Sequence, residues 1–223
     1  MLAGMARTLQ GDAAHKAEEL EARLRAAAEK NNISIEIVAA PEIWPQRSDL
    51  VTVRGIAADV CILGLPPAGA EQRSAVEAWL FGAGRPCLLH PDTRSEALSL
   101  DTIAIAWDVT RSSARAVADA LPVLKHAKRV DVLTVTGEKH IAVDERGGAL
   151  WSFLDAHEIK CEMHERDVAG RGAGAALLDA VDEFHADLLV MGAFGHSRMQ
   201  EFILGGATKY VLDHATLPLF MSH

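Results

Sequence analysis

Short apolar segments alternate with amphipathic ones along most of this chain. Several of the apolar segments lack a polar residue at every second position, which is typical of strands buried on both faces of a parallel sheet. The predicted strands are residues 60–63, 87–89, 103–107, 130–135, 188–191 and 217–221. Between them, apolar positions at helical spacing predict helices over residues 71–81, 112–124, 148–157 and 175–185. This alternation predicts an α/β protein: a Rossmann-like open parallel sheet with helices on both faces.

The first part of the chain follows a different pattern. Residues 13–31 are rich in Ala, Glu, Leu, Lys and Arg, and their apolar stripe predicts a long amphipathic helix that Asn31 and Asn32 end. Alternating isoleucines then predict a strand over residues 33–38. Weaker patterns predict a helix over residues 47–56, a charged strand over residues 160–166 and a serine cap at the start of the helix 112–124.

Composition narrows the class of protein. The 223 residues are 49% hydrophobic and 24% charged, which suits a folded chain with a sizeable core. A net charge of −9 argues against nucleic-acid or anionic-membrane partners, which require concentrated Lys and Arg. The sequence also lacks a membrane-length apolar run and a signal-peptide layout, so we expect a cytoplasmic protein. The scattered Cys61, Cys87 and Cys161 are expected to be reduced thiols, the first two of them buried.

Residues 188–208 combine the end of a buried strand with the glycine spacing Gly192-x2-Gly195-x9-Gly205. Because glycine adopts positive φ and has no Cβ, Gly192 and Gly195 are predicted to let the backbone turn and approach a phosphate. A short helix is predicted over residues 199–203, and a second helix opens at Gly205 and Gly206, with its first amides facing an anion. On spacing alone, a tightly packed loop explains the glycines at least as well as a ligand does.

This glycine spacing, placed between the Ala-Asp-Leu-Leu-Val-Met segment and the terminal strand, resembles the nucleotide-binding signature of the universal stress protein family. The resemblance implies a stress-response or sensing protein that binds ATP or AMP, with or without Mg²⁺. In ATP-binding members Ser or Thr usually follows the third glycine, whereas Gly206 stands here. The site residues that the resemblance implies are Ala106, Trp107, Asp108, Val135, Met191, Gly192, Phe194, Gly195, Gly205, Gly206, Ala207 and Thr208. The alternative is a dimerisation or scaffold protein of the same fold without a nucleotide.

The resemblance extends to a repeat within the chain. We expect two tandem universal-stress-protein-like copies: a degenerate, incomplete domain at residues 1–98 and a complete domain at residues 99–223 that carries the nucleotide motif. The matching segments are residues 58–64 with 186–192 and residues 84–89 with 216–221. The first copy lacks the opening strand of a full copy.

The missing strand leads to two structural expectations. Either the strands 33–38 and 60–63 become neighbours, or a segment upstream of this chain is missing. The short strands at residues 86–89 and 218–221 would otherwise be open sheet edges, so we expect them to pair with each other or with a second chain. A homodimer through these terminal edges is therefore predicted, as is common in the family.

Other residue groups carry weaker signals. Gly170, Gly172 and Gly174 follow a charged strand rather than an apolar one, so we expect a flexible turn and not a dinucleotide site. His157, Cys161 and His164 have zinc-like spacing, but Cys161 and His164 would point to opposite faces of a strand, so no metal site is predicted. No nucleophile–base arrangement can be assembled, so catalysis is expected to be absent or limited to slow ATP hydrolysis. Trp107 is expected either to line the adenine pocket or to fill the core.

Overall fold

The computed structural model describes residues 2–37, 53–65, 76, 79–91, 98–137, 147–193 and 206–223. The chain divides into two compact units, Met1–Ile43 and Trp44–His223. The first unit contains helix α1 (Leu2–Lys30), which includes the predicted helix and extends it toward the N-terminus. Asn31 Nδ2 donates a 2.7 Å hydrogen bond to the carbonyl of Ala27, and Asn32 has a φ of 54°, so the two asparagines end the helix as expected.

The predicted strand at residues 33–38 does not form in the described part of that segment. Residues 33–37 have no regular secondary structure, and the Ile33 side chain is 64% exposed. The expectation that this strand pairs with the strand at residues 60–63 is therefore wrong for residues 33–37. Alternating isoleucines specify a strand only when a neighbouring strand supplies hydrogen bonds and a buried face.

The second unit is built on a seven-stranded sheet. Its strands are β1 (Cys61–Leu65), β2 (Cys87–Pro91), β3 (Thr102–Ala106), β4 (Arg129–Thr136), β5 (Glu162–Asp167), β6 (Leu188–Gly192) and β7 (Leu219–Ser222). Their order across the sheet is β1-β2-β7-β6-β3-β4-β5. Every neighbouring pair is parallel except β2 and β7. The predicted mostly parallel α/β sheet is confirmed, with one antiparallel pair that the sequence pattern did not separate from the rest.

The antiparallel pair confirms that the two short terminal strands pair with each other. In register, Cys87 lies opposite Met221, Leu88 opposite Phe220 and Leu89 opposite Leu219. The second edge of β2 is hydrogen-bonded to β1, and the second edge of β7 to β6. Both strands therefore have two neighbours within one chain, and the predicted route to a homodimer through these edges is already occupied.

Helices cover both faces of the sheet, as predicted. They are α2 (Arg111–Leu124), α3 (Gly148–Ala156), α4 (Ala173–Glu183) and α5 (Gly206–His214). Alternate strand residues divide between two buried clusters, because successive side chains of a strand point to opposite faces. Leu133, Leu189 and Met221 pack with α4, α5 and the π-helical turn Trp79–Ala83. Ile105, Val132 and Val190 pack with α2 and α3 on the other face.

Two local expectations are corrected. The cap of α2 is Thr110 rather than a serine: its Oγ1 accepts a hydrogen bond from the Ser113 amide at 3.2 Å, and Ser113 Oγ accepts from the Thr110 amide at 3.1 Å. The strand predicted at residues 60–63 forms as β1 at Cys61–Leu65, so it begins one residue later and continues through Gly64 and Leu65.

Other sequence expectations fall partly or wholly outside the described residues. Residues 47–52 of one predicted helix and most of the helix at 71–81 lie outside them, as does Val38. Across the described ranges, no helix combines the length and the hydropathy that a membrane crossing requires.

Candidate functional site

The predicted site residues on three strands meet at one edge of the sheet. Ala106 ends β3, in register with Leu133 of β4 on one side and with Met191 of β6 on the other. The chain runs outward from β3 through β4 to β5 and then crosses back to β6 on the other side of β3. The strand order therefore reverses beside β3, which is where open α/β sheets bind ligands. Ala106, Val135 and Met191 all belong to the sheet face that α4 and α5 cover. Together they make a small apolar floor at the carboxyl edge.

Trp107 lies on the other face. Its side chain is partly buried against the cluster formed with α2 and α3, and its amide donates a 2.8 Å hydrogen bond to the carbonyl of Leu133. Its indole Nε1 is buried and has no hydrogen-bond acceptor among the described residues. Of the two sequence-based readings of Trp107, this packing favours the core aromatic. Ala106 and Trp107 are adjacent in sequence, and they lie on opposite faces of the sheet because successive side chains of an extended chain point to opposite faces.

Asp108 belongs to the cap of α2. Its Oδ1 accepts hydrogen bonds from Thr110 Oγ1 at 2.6 Å and from the Thr110 amide at 3.2 Å. The intervening Val109 has a φ of 58°, an unusual conformation for a β-branched residue. The turn between β3 and α2 is thus held in a strained shape by a network of side chains, and Asp108 helps to hold it.

Gly192 has a different role from the predicted one. It is the last residue of β6, and its φ is not in the positive range. A Cβ on Gly192 would lie 2.5 Å from the Ser113 amide nitrogen and 2.6 Å from the Ser112 carbonyl carbon. The glycine therefore admits the first turn of α2 against the end of β6. Sequence reasoning missed Ser112 and Ser113 as partners because they lie about 80 residues away along the chain.

The segment that leaves β6 is fixed for one further residue. The Ala193 amide donates to the carbonyl of Ser222 at 2.7 Å, and Ala193 is fully buried. Phe194, Gly195, Gly205 and the predicted short helix at residues 199–203 lie outside the described residues. The described part of the predicted phosphate-cradling segment therefore ends at Ala193 and resumes at Gly206.

The helix predicted to open at Gly205 and Gly206 is confirmed as α5, whose first residue is Gly206. Because β6 and β7 are parallel neighbours, α5 returns across the sheet and its first turn lies at the carboxyl edge. Gly206 is exposed, and a Cβ on it would meet no described atom within 4 Å. Ala207 is partly buried, whereas Thr208 is only 5% exposed and has an interaction of its own within the chain.

Gly174 brings the first turns of α4 and α5 together. A Cβ on Gly174 would lie 2.6 Å from Tyr210 Cβ and 3.0 Å from the carbonyl oxygen of Ala207. Gly170 and Gly172 have φ values of 74° and 89°, and Gly172 precedes α4 as its cap residue. Gly170 and Gly172 therefore lie in a turn before α4, as predicted, whereas Gly174 is the second residue of α4 and has a packing role that the spacing did not reveal.

The zinc-like residues of the sequence are not assembled. His157 packs edge-on against Phe153, with ring centroids 4.7 Å apart. Cys161 packs on the α2 and α3 face, whereas His164 contacts Phe184 at the end of α4, so the two point to opposite faces as predicted. Within the described ranges, the group with metal-ligand geometry is instead Asp131, Glu162 and His164.

An arginine is already paired with the buried carboxylate of that second group. Asp131 is fully buried, and its Oδ1 lies 2.8 Å from His164 Nε2 and accepts hydrogen bonds from Arg129 Nε at 3.2 Å and Nη2 at 3.0 Å. Arg129 Nε is also 2.9 Å from Oδ2, although its N–H direction leaves that oxygen without a hydrogen bond. The guanidinium supplies the positive charge that a metal ion would otherwise provide. We read the group as an internal ion-pair network.

Comparison with known proteins places this geometry in a family. The profile of the Universal stress protein family matches residues 100–223. A search of curated proteins gave no match. A universal stress protein from Archaeoglobus fulgidus DSM 4304 has 19% identity and a TM-score of 0.69, with 94% of this chain and 76% of that chain covered. A Pseudomonas aeruginosa UCBPP-PA14 protein described in the same terms has 14% identity and a TM-score of 0.57, with 91% and 77% covered.

A third solved structure is a universal stress protein in complex with cAMP. It has 22% identity and a TM-score of 0.40, and the match covers 55% of this chain and 96% of that chain. The Archaeoglobus and Pseudomonas structures, with TM-scores of 0.69 and 0.57 at identities under 25%, show likeness of fold alone. The family profile covers more than half of the 223 residues, and the sheet and its helices agree with the solved folds. This chain therefore belongs to the universal stress protein family.

Proposed function

We propose that this protein binds an adenine nucleotide, ATP or AMP, at the carboxyl edge of residues 99–223 and acts as a nucleotide-responsive stress or sensing protein. The observation that carries the proposal is the open start of α5. Gly206 is exposed, with no described atom within 4 Å of a Cβ placed on it. The first amides of a helix have no intrahelical acceptor and lie at the positive end of its dipole, so this space suits a phosphate.

The apolar floor beside α5 suits the nucleoside. Ala106, Val135 and Met191 lie on the sheet face that α5 covers, and all three lie at or near the carboxyl ends of their strands. Apolar side chains at the carboxyl ends of strands suit contact with the face of a flat base. Asp108, which the family resemblance assigns to the adenine end, already accepts from Thr110, and this fixes its orientation. A bound Mg²⁺ would neutralise phosphate charge without a dedicated protein cage.

The rival function is a scaffold of the same fold without a nucleotide. Two predicted ligand residues have packing roles that need no ligand: Gly192 admits α2, and Trp107 fills the core. The terminal strands that were predicted to form a homodimer are occupied within the chain. A scaffold, or a homodimer of either kind, would thus use another surface.

The test uses substitutions at Gly206, where an added side chain meets no atom of the described residues within 4 Å. Gly206→Ser adds a hydroxyl at the start of α5, and one neutral hydrogen bond of about 1 kcal/mol corresponds to about fivefold in affinity. Gly206→Asp places a carboxylate at the helix start, where it favours the helix but repels a phosphate. We expect calorimetric titration with ATP and AMP to give tighter binding for Gly206→Ser and at least about tenfold weaker binding for Gly206→Asp.

Gly148 provides matched controls. It is the first residue of α3, and a Cβ on it likewise meets no atom of the described part of the chain within 4 Å. Gly148→Ser and Gly148→Asp should leave nucleotide affinity unchanged, while melting curves confirm that all variants fold. Gly206→Ala adds a Cβ without a hydroxyl, so its comparison with Gly206→Ser isolates the effect of the hydroxyl on affinity. Absence of binding in both wild type and Gly206→Ser would reject the nucleotide proposal and leave the scaffold. Equal affinity of wild type and Gly206→Asp would remove α5 from the site.

We also infer that the chain contains two copies, at residues 1–98 and 99–223. The order β1-β2-β7-β6 is symmetric about the β2–β7 boundary, and β1 and β2 are parallel neighbours as β6 and β7 are. In the sequence repeat, Leu88 corresponds to Phe220, and these two residues face each other in the antiparallel pair. That is the register that a twofold axis between repeated strands requires. Separate expression of residues 99–223 tests the boundary, since a misfolded product would contradict it.

A further inference from the structure

Two cysteines face each other across the first two strands of the sheet. Cys61 begins β1 and Cys87 begins β2, and they are direct partners in the parallel register. Both pack into the cluster on the α4 and α5 face, so their side chains lie on the same side of the sheet. Neighbouring strands lie about 4.8 Å apart, which is within the range of Cα separations, about 4.4–6.8 Å, that disulfides span. The pair can therefore be bridged with little movement of the backbone.

The two thiols are chemically unequal. Their side chains are hydrogen-bonded, and donation by the Cys87 S–H lowers the pKa of Cys61, although partial burial of Cys61 opposes this effect. The same hydrogen bond, together with burial and the nearby charge of Cys61, raises the pKa of Cys87. Cys61 is partly exposed, whereas Cys87 is fully buried. This arrangement is that of an attacking thiol, which reagents reach, beside a resolving thiol, which they do not.

Cys161 is a contrasting thiol in the same protein. It is partly exposed like Cys61, but burial and the charge of Asp155 raise its pKa. The chain has three cysteines, so a bridge between Cys61 and Cys87 leaves Cys161 without an intramolecular partner. It therefore serves as an internal reference for reactivity that comes from exposure alone.

We propose that Cys61 and Cys87 form a reversible intramolecular disulfide in exchange with low-molecular-weight disulfides such as oxidised glutathione. In the first step, the Cys61 thiolate attacks one sulfur of the small disulfide, an S–S bond breaks, and one thiolate leaves. In the second step, the Cys87 sulfur, having lost its proton to solvent, attacks Cys61 and expels the second small thiolate. The protein loses two electrons and two protons in total, and the small disulfide becomes two thiols.

The bond would fasten the outermost strand to the sheet. Among the described residues, β1 has one hydrogen-bonded neighbour, β2, and it stands at the end of the strand order. Its side chain at Ile62 is 67% exposed, so this edge has less burial to hold it than the central strands have. A covalent link at the start of both strands removes freedom from the unfolded chain between residues 61 and 87. We expect the oxidised form to melt about 5 °C or more above the reduced form.

The test is redox titration of the full chain with oxidised and reduced glutathione, followed by alkylation and tryptic mass spectrometry under non-reducing conditions. Cleavage places the three cysteines in separate peptides, residues 55–73, 74–94 and 161–166, because Pro86 protects the bond after Arg85. We expect peptides 55–73 and 74–94 to become linked within one chain and to separate on reduction. Cys161 should remain a thiol or carry a glutathione adduct, without a link.

Single variants separate the two roles. Cys87→Ser should trap glutathione on Cys61, because no resolving thiol remains, whereas Cys61→Ser should leave Cys87 unmodified in the folded protein. Cys161→Ser should behave as wild type. Equal labelling of Cys61 and Cys87, links between chains at Cys61, or the absence of a 55–73/74–94 link while Cys161 reacts would each overturn the proposal. Melting curves of the variants distinguish a folded but unreactive pair from an unfolded chain.

Discussion

A Cβ at Gly192 would test whether this glycine serves packing or a phosphate. In Gly192→Ala, the new carbon would lie 2.5 Å from the Ser113 nitrogen, 2.6 Å from the Ser112 carbonyl carbon and 2.8 Å from Ser112 Oγ. The two closest atoms are backbone, so relief requires the first turn of α2 to shift by most of an ångström. That turn is held by the Thr110 cap, and the buried residues Ala116 and Val117 of the same helix pack on the sheet.

The magnitude follows from opposing terms. Overpacking of a close contact costs about 1–3 kcal/mol, and loss of the cap adds about 1 kcal/mol. Replacing glycine by alanine also raises the free energy of unfolding by about 0.4–1 kcal/mol, because alanine restricts the unfolded chain. We expect a net loss of about 2 kcal/mol in the free energy of unfolding. For a chain of this size that corresponds to a fall in Tm of roughly 4–8 °C.

Urea unfolding followed by tryptophan fluorescence measures this loss, and Gly206→Ala is the matched control. A Cβ on Gly206 meets no described atom within 4 Å, so its alanine variant should be as stable as wild type or slightly more stable, because alanine is a better helix former. If Gly192 served only to cradle a phosphate, Gly192→Ala would keep its stability and lose nucleotide affinity. An unchanged urea midpoint in Gly192→Ala would refute the packing argument.

Two further predictions concern contacts that the sequence did not reveal. Gly174→Ala should lower the free energy of unfolding by about 1–3 kcal/mol and weaken ATP binding, because its Cβ would lie 2.6 Å from Tyr210 Cβ and push α5 away from α4. The control is Gly170→Ala, whose Cβ meets no described atom within 4 Å and whose cost comes from the φ of 74° alone. Equal stability of the two variants would contradict the packing argument. Arg129→Leu should cost about 2–4 kcal/mol, since it leaves the fully buried Asp131 with His164 alone, and the double variant Arg129→Leu/Asp131→Leu should recover most of that loss in urea unfolding.

The sequence by itself determined the elements that local patterning controls. Six of the strands, the end of the long first helix and the opening of α5 at Gly206 lie where periodicity and glycine placed them, to within a few residues. The first helix itself begins well before its predicted start at residue 13. The charged strand β5 was also located, although as an edge strand it has little apolar signal. These features depend on side-chain spacing of two or 3.6 residues, which is visible in a short window. The family resemblance and the profile match rest on the same local information.

The tertiary structure decided every feature that depends on residues distant in the chain. It left residues 33–37 without regular structure, joined β2 to β7 antiparallel, and gave Gly192 a partner in α2 rather than a positive φ. It also brought Cys61 beside Cys87. The physical reason is that strand register, helix packing and close backbone approach depend on which surfaces meet. A short segment of sequence does not contain the residues against which it packs.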